Sequence, residues 1–93
     1  MEEFMTADVV ISTAGKDAGK LFYVLETDDP FLLLVNGKDR SLEKPKKKKG
    51  RHVNKVLRSE TRVAEKLRAG DKVLDSELRE DLACVRRVLQ SNA

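Results

Sequence analysis

The chain has 93 residues, and nineteen lysines and arginines against sixteen aspartates and glutamates give it a formal net charge of +3. That length makes one small domain with a modest core, since folding at this size buries on the order of 60–65% of the unfolded surface. The longest apolar run, Phe31 to Val35, falls far below the roughly 18 residues that span a bilayer. The acidic start (Glu2, Glu3) has no extended apolar stretch behind it, and the single cysteine, Cys84, cannot staple the fold. A cytoplasmic, non-membrane protein is expected.

Three short β-strands are predicted first. Val9-Val10-Ile11, Leu21-Phe22-Tyr23-Val24-Leu25 and Phe31-Leu32-Leu33-Leu34-Val35 are too short for independent helices and are bounded by turn residues. Residues 13–20, with two glycines, separate the first pair, and Thr27-Asp28-Asp29-Pro30 separates the second. Asn36-Gly37 ends the third run and is a strong hairpin signal. A fourth strand is expected over Arg40 to Glu43, then a loop from Lys44 to Gly50 stiffened by Pro45, then a fifth strand from Arg51 to Leu57. Strands at this spacing suggest a small closed or half-closed barrel, mainly β. Its continuous apolar runs imply that some strands are covered on both faces.

Two helices are predicted to follow. Ser59 is placed as the cap of a helix from Glu60 to about Ala69, ended by Gly70, and Asp75 as the cap of one from Ser76 to about Leu89. In the second, Leu78, Leu82, Val85 and Leu89 form one apolar stripe at helical period. Glu77 near its start and Arg86-Arg87 near its end suit the helix dipole. The expected organisation is a tail over residues 1–7, a barrel over 8–58 and a C-terminal helical extension over 59–93. The extension is expected to pack on the barrel, with contact to a second protein as the other use of its stripe.

The charge is local. Ten lysines and arginines lie between Lys38 and Arg58 against two acids, Asp39 and Glu43, a net +8 in a chain whose total is +3. A basic stripe on a strand-and-turn scaffold favours a polyphosphate backbone as partner. The candidate RNA contacts are Lys16, Lys20, Lys38, Arg40, Lys44, Lys46, Lys47, Lys48, Lys49, Arg51, His52 and Lys55. If about five to eight cations reach phosphates, log K falls with log salt at a slope of roughly −3.5 to −7. Gly15 and Gly19 are expected to shape the first loop, where Lys16, Lys20 and free N–H groups can face a phosphate. Phe22, Tyr23 and Phe31 are read as core, with Tyr23 the best of the three to face outward. Shape and backbone recognition of folded RNA is therefore expected over base reading.

The run Val9-Val10-Ile11-Ser12-x-x-Gly15-Lys16-Asp17-x-Gly19-Lys20-x-Phe22-x-Val24 resembles the KOW motif, a strand, a glycine-bearing loop and a second strand. The continuation Val35-Asn36-Gly37-Lys38-x-Arg40-x-Leu42-Glu43-Lys44-Pro45 into Lys46–Lys49 looks like the small bacterial KOW-domain RNA-binding proteins. These are similar to archaeal and eukaryotic large-subunit ribosomal proteins of the same barrel type. The resemblance covers a little over half the chain and makes Gly15, Gly19 and Gly37 its motif glycines. It implies an SH3-like barrel that binds RNA, ribosomal RNA foremost, as a ribosome-associated or accessory ribosomal protein. A protein-interaction KOW module acting in transcription elongation or translation regulation is the alternative.

An enzyme is not expected. His52 and Cys84, each the only one of its kind, lie in different predicted elements, and no Cys-x-x-Cys pair or phosphate-binding Gly-x-x-x-x-Gly-Lys-Ser/Thr loop occurs. Asp28-Asp29 precedes Pro30 in a turn, where Asp is common for local hydrogen bonding. No cofactor or metal is predicted.

Overall fold

A computed structural model describes residues 3–91. Glu2 of the acidic start and residues 92–93 of the helical extension lie outside the described residues. Five strands, β1 (Asp8–Ser12), β2 (Leu21–Asp28), β3 (Phe31–Val35), β4 (Lys46–Lys49) and β5 (Val53–Arg58), precede two helices, α1 (Arg62–Ala69) and α2 (Asp75–Ser91). The strands form one antiparallel sheet in the order β4-β3-β2-β1-β5. β4 and β5 are its two edges, so strand pairing does not close the sheet into a ring.

Alternation along the strands creates a core on each face. On one face Val9, Leu21, Tyr23 and Val35 meet Ala64, Leu67, Leu78 and Leu82 of the helices. On the other, Val10, Phe22, Val24, Leu32, Leu34 and Val53 pack together, with Phe4 laid against them. Both clusters being buried explains why β2 and β3 read as continuous apolar runs. Phe4 and Ala7 belong to the stretch expected as a tail, yet each adds to one of these cores.

Two strand assignments differ from expectation. Residues 40–43 run through a bend and a turn instead of a strand, and the fourth strand is the lysine run itself. Asn36-Gly37 does not make a two-residue hairpin. The Asn36 Oδ1 accepts from the backbone N–H of Lys38 and of Arg40, both at 2.9 Å, and this Asx arrangement opens a longer excursion. Chain leaving β3 therefore returns to pair only at Lys46. The fifth strand starts at Val53 because Gly50–His52 forms a 3-10 turn.

The helices are capped by neighbours of the predicted residues. Thr61, not Ser59, caps α1, its hydroxyl accepting from the Ala64 N–H. Gly70 ends α1 in the left-handed region at φ +73°. There its N–H and that of Asp71 donate to the Leu67 and Lys66 carbonyls, a Schellman closure. At α2 the Glu77 carboxylate accepts from the Leu74 N–H at 3.1 Å, which makes Leu74 the cap position. Asp75 instead accepts from the Leu42 N–H at 2.9 Å and ties α2 to the excursion after β3.

α2 is docked on the sheet, as its stripe predicts, but only for part of its length. Leu78 and Leu82 are buried and Val85 is half-buried, while Leu89 and Val88 are exposed. Polar clamps join the apolar contact. Arg79 donates to the Gly37 carbonyl at 2.5 Å and Arg86 to the Gly19 carbonyl at 2.8 Å. Tyr23 is fully buried rather than outward-facing. Its hydroxyl donates to the Asp81 carboxylate and lies 2.9 Å from the Ser59 hydroxyl, so this buried polar group on β2 is satisfied by α2 and by the link between β5 and α1. No helix of the described residues is long and apolar enough to cross a membrane.

Candidate nucleic-acid interface

Four consecutive lysines have little intrinsic preference for a strand. They form one because β3 presents a free edge, with Phe31 opposite Lys49, Leu32 opposite Lys48, Leu33 opposite Lys47 and Leu34 opposite Lys46. The two-residue period then sorts them. Lys46 and Lys48 share the face of Leu34 and Leu32 and are half-buried, their stems covering apolar surface. Lys47 and Lys49 point to the opposite face and are exposed. Their ammonium groups stand 4.7 and 6.0 Å from the centroid of the Phe31 ring, within cation–π range. Lys47 also lies 3.8 Å from Asp28, an exposed pair of little energetic weight.

The β1–β2 loop sits beside the other lysine pair. Lys48 Nζ donates to the Ala14 carbonyl at 2.8 Å, bridging from the sheet edge to this loop. Gly15 and Gly19 hold φ of +75° and +89°, as their place in a tight loop predicts. Between them Asp17 is buried and gathers two cations, Lys20 at 3.8 Å and Arg40 at 4.0 Å. Lys20 is held more firmly by Asp39 at 2.7 Å. Their hydrogen bond raises the Lys20 pKa above the usual lysine range and lowers that of Asp39 below the usual carboxylate range.

The twelve predicted contacts thus divide. Lys20, Arg40, Lys48 and Lys55 already serve the protein. Lys55 reaches the fully buried Asp8 at 3.3 Å, donates to the Glu3 carbonyl and lies over the Phe4 ring. Lys16, Lys38, Lys44, Lys49 and Arg51 are exposed and, among the described residues, form no salt bridge, nor does the half-buried Lys46. His52 is half-buried, and its carbonyl accepts from the Thr13 N–H. Gly37 is remote in role from the lysines, since it lies beneath α2.

Two aromatic residues join the site that the sequence did not assign to it. Phe31 is half-buried under Lys47 and Lys49, and Phe4 packs against Gly50 beside the end of β4. The signal for Phe31 was its alternation with Leu32 and Leu34, which becomes informative only once the lysine run is paired with β3. No protein-family model matches the chain, and no curated protein matches it in sequence.

Proposed function

We propose that this chain is an RNA-binding protein of the KOW type, its five-stranded sheet an open variant of the SH3-like barrel. It acts at the ribosome, as an accessory ribosomal protein or a ribosome-associated factor. It binds structured RNA through the lysine edge and the basic turns around it, and it performs no catalysis. One observation carries this reading. An edge strand made only of lysines presents two exposed ammonium groups above an aromatic ring, with Arg51 just beyond and Lys38 and Lys44 in the preceding excursion. Backbone phosphates suit such a row, and the half-buried ring offers a base a stacking edge. The cations already engaged inside the protein reduce the available contacts to about four to six, so the salt slope narrows to roughly −3 to −5. The exposed Val88 and Leu89 at the end of α2 support a protein contact there. They are also what a protein-interaction module would use.

The test is fluorescence anisotropy of a labelled ribosomal RNA hairpin across a salt series. The Lys47→Ala/Lys49→Ala double variant removes outward charge without touching the Lys48–Ala14 bridge. It should weaken binding strongly and flatten the slope by about 1.5–2 units. Wild-type affinity in the double variant at about 150 mM salt would remove this edge as the main contact. Sedimentation of tagged protein with large ribosomal subunits tests the ribosomal part, and migration with protein complexes alone would favour the interaction module.

A further inference from the structure

The basic edge runs into a cleft that phosphate binding alone leaves unused. Its volume is about 400 Å³, within the roughly 300–1,000 Å³ of small-ligand sites. Phe4, Pro30, Leu32 and Val53 supply apolar walls, Lys49 and Arg51 stand at the basic side, and Asp29 and Asn54 also contribute to the lining. Phe4 reaches this position because the chain before β1 folds back over the second core. Gly50 lets it come close: a Cβ there would sit 3.2 Å from the Phe4 ring.

We infer that this cleft takes a single unpaired nucleobase, a guanine, from the RNA whose backbone lies on β4. The inference rests on the RNA-binding reading above. Size is the first reason, since the volume holds one base with its sugar and excludes a duplex. Chemistry is the second. An aromatic ring and a proline offer a base the flat apolar surfaces on which single-stranded nucleic acid is held. Charge is the third, because Lys49 and Arg51 both line the cleft and are exposed, leaving them free to meet the phosphates that flank an extruded base. The polar lining selects among the bases. Asp29 as a carboxylate only accepts, and guanine presents two adjacent donors, N1–H and the N2 amino group, whereas uracil presents one.

The test compares three RNA hairpins of identical stem in anisotropy titrations with the full chain. One is fully paired, one carries a single bulged guanosine and one a single bulged uridine. The bulged guanosine should bind about tenfold tighter than the paired stem and several-fold tighter than the bulged uridine. Asp29→Asn should erase the guanosine-over-uridine ratio while leaving the salt slope in place. Phe4→Ala should erase the advantage of either bulge. Guanosine 5′-monophosphate alone, titrated into 15N-labelled protein, should shift the amides of Phe4, Gly50 and Val53, a readout that needs no RNA backbone and no variant. Equal binding of the three hairpins, with Lys47→Ala/Lys49→Ala still weakening all of them, would overturn the base cleft and leave the RNA-binding reading standing. Loss of all RNA binding together with silent amides would remove both.

Discussion

Replacing Gly37 with alanine separates a glycine needed for a close approach from one needed only for its dihedral angles. Gly15, Gly19 and Gly37 all hold positive φ, and an alanine in the left-handed region costs roughly 1–2 kcal/mol. At Gly19 that is the whole cost, because a Cβ there meets nothing within 4 Å. At Gly37 the new Cβ would stand 3.0 Å from the Asp75 carbonyl carbon, 3.1 Å from the Leu78 Cβ and closer still to the Asp75 carbonyl oxygen. Backbone cannot rotate aside, so α2 must move, and overpacking of this kind adds about 1–3 kcal/mol. A smaller unfolded-state entropy offsets about 0.4–1 kcal/mol in both variants. Gly19→Ala should therefore cost about 1 kcal/mol and Gly37→Ala about 2–4. At roughly 4–8 °C per kcal/mol for a domain of this size, the two melting temperatures should differ by at least about 5 °C. Differential scanning calorimetry with urea melts gives both quantities. Equal losses in the two variants would refute the docking of α2 on Gly37.

Three further perturbations probe other parts of the fold. Tyr23 is the only tyrosine, so absorbance near 295 nm reports it alone. Burial, then its hydrogen bond to Asp81, raises its pKa above the ordinary 10.0. Below pH 10 both folded and unfolded chains keep the proton. Above it the unfolded chain releases it first, so stability falls as pH rises through the native pKa, and Tyr23→Phe should remove that part of the alkaline loss. A phenolate midpoint at or below 10 in the folded protein would contradict the burial. Leu82→Asp should cost several kcal/mol by placing a carboxylate in the helix–sheet core, while Leu89→Asp in the exposed last turn should stay within about 0.5 kcal/mol. Equal chemical denaturation curves for the pair would mean that α2 is not held by its first half. Truncation after Leu74 strips the cover from Val9, Leu21 and Val35, and it should abolish cooperative unfolding.

Strand existence was legible wherever the residues were apolar and turn-bounded. β1 and β3 fall where the β-branched and leucine runs put them, and β2 extends three residues beyond its apolar run into Glu26-Thr27-Asp28 because β3 pairs with them. The lysine strand was not legible, since neither propensity nor hydrophobic period marks four lysines as β. Only tertiary pairing with Phe31–Leu34 creates it. For the same reason the candidate site was half visible. A basic cluster could be counted, but not its division into outward lysines and lysines spent on Ala14 or Asp8. The second helix shows the converse. Its stripe correctly places Leu78 and Leu82, and it overreaches at Leu89 because periodicity reports a face and not where the sheet beneath it stops.

Lysine on an edge strand has a bland use, the suppression of edge-to-edge pairing between molecules. That use accounts for the presence of lysine on β4 but not for its arrangement. One or two charges are enough to protect a four-residue edge, and side chains on either face serve equally. Here every position of the strand is lysine, and like charges on neighbouring residues repel one another. The face opposite the second core receives two ammonium groups above one aromatic ring. Nor is the opposite edge treated the same way, for β5 carries Lys55 and Arg58 among Val53, Asn54, Val56 and Leu57, and Lys55 turns inward to Asp8. An unbalanced concentration of charge at one edge lowers the stability of the free protein and is relieved when an anion binds. The two uses separate in one comparison. Edge protection predicts that Lys47→Glu/Lys49→Glu keeps the protein monomeric and functional, since charge of either sign suppresses pairing. A phosphate-binding edge predicts a monomer that has lost RNA, because only the sign has changed.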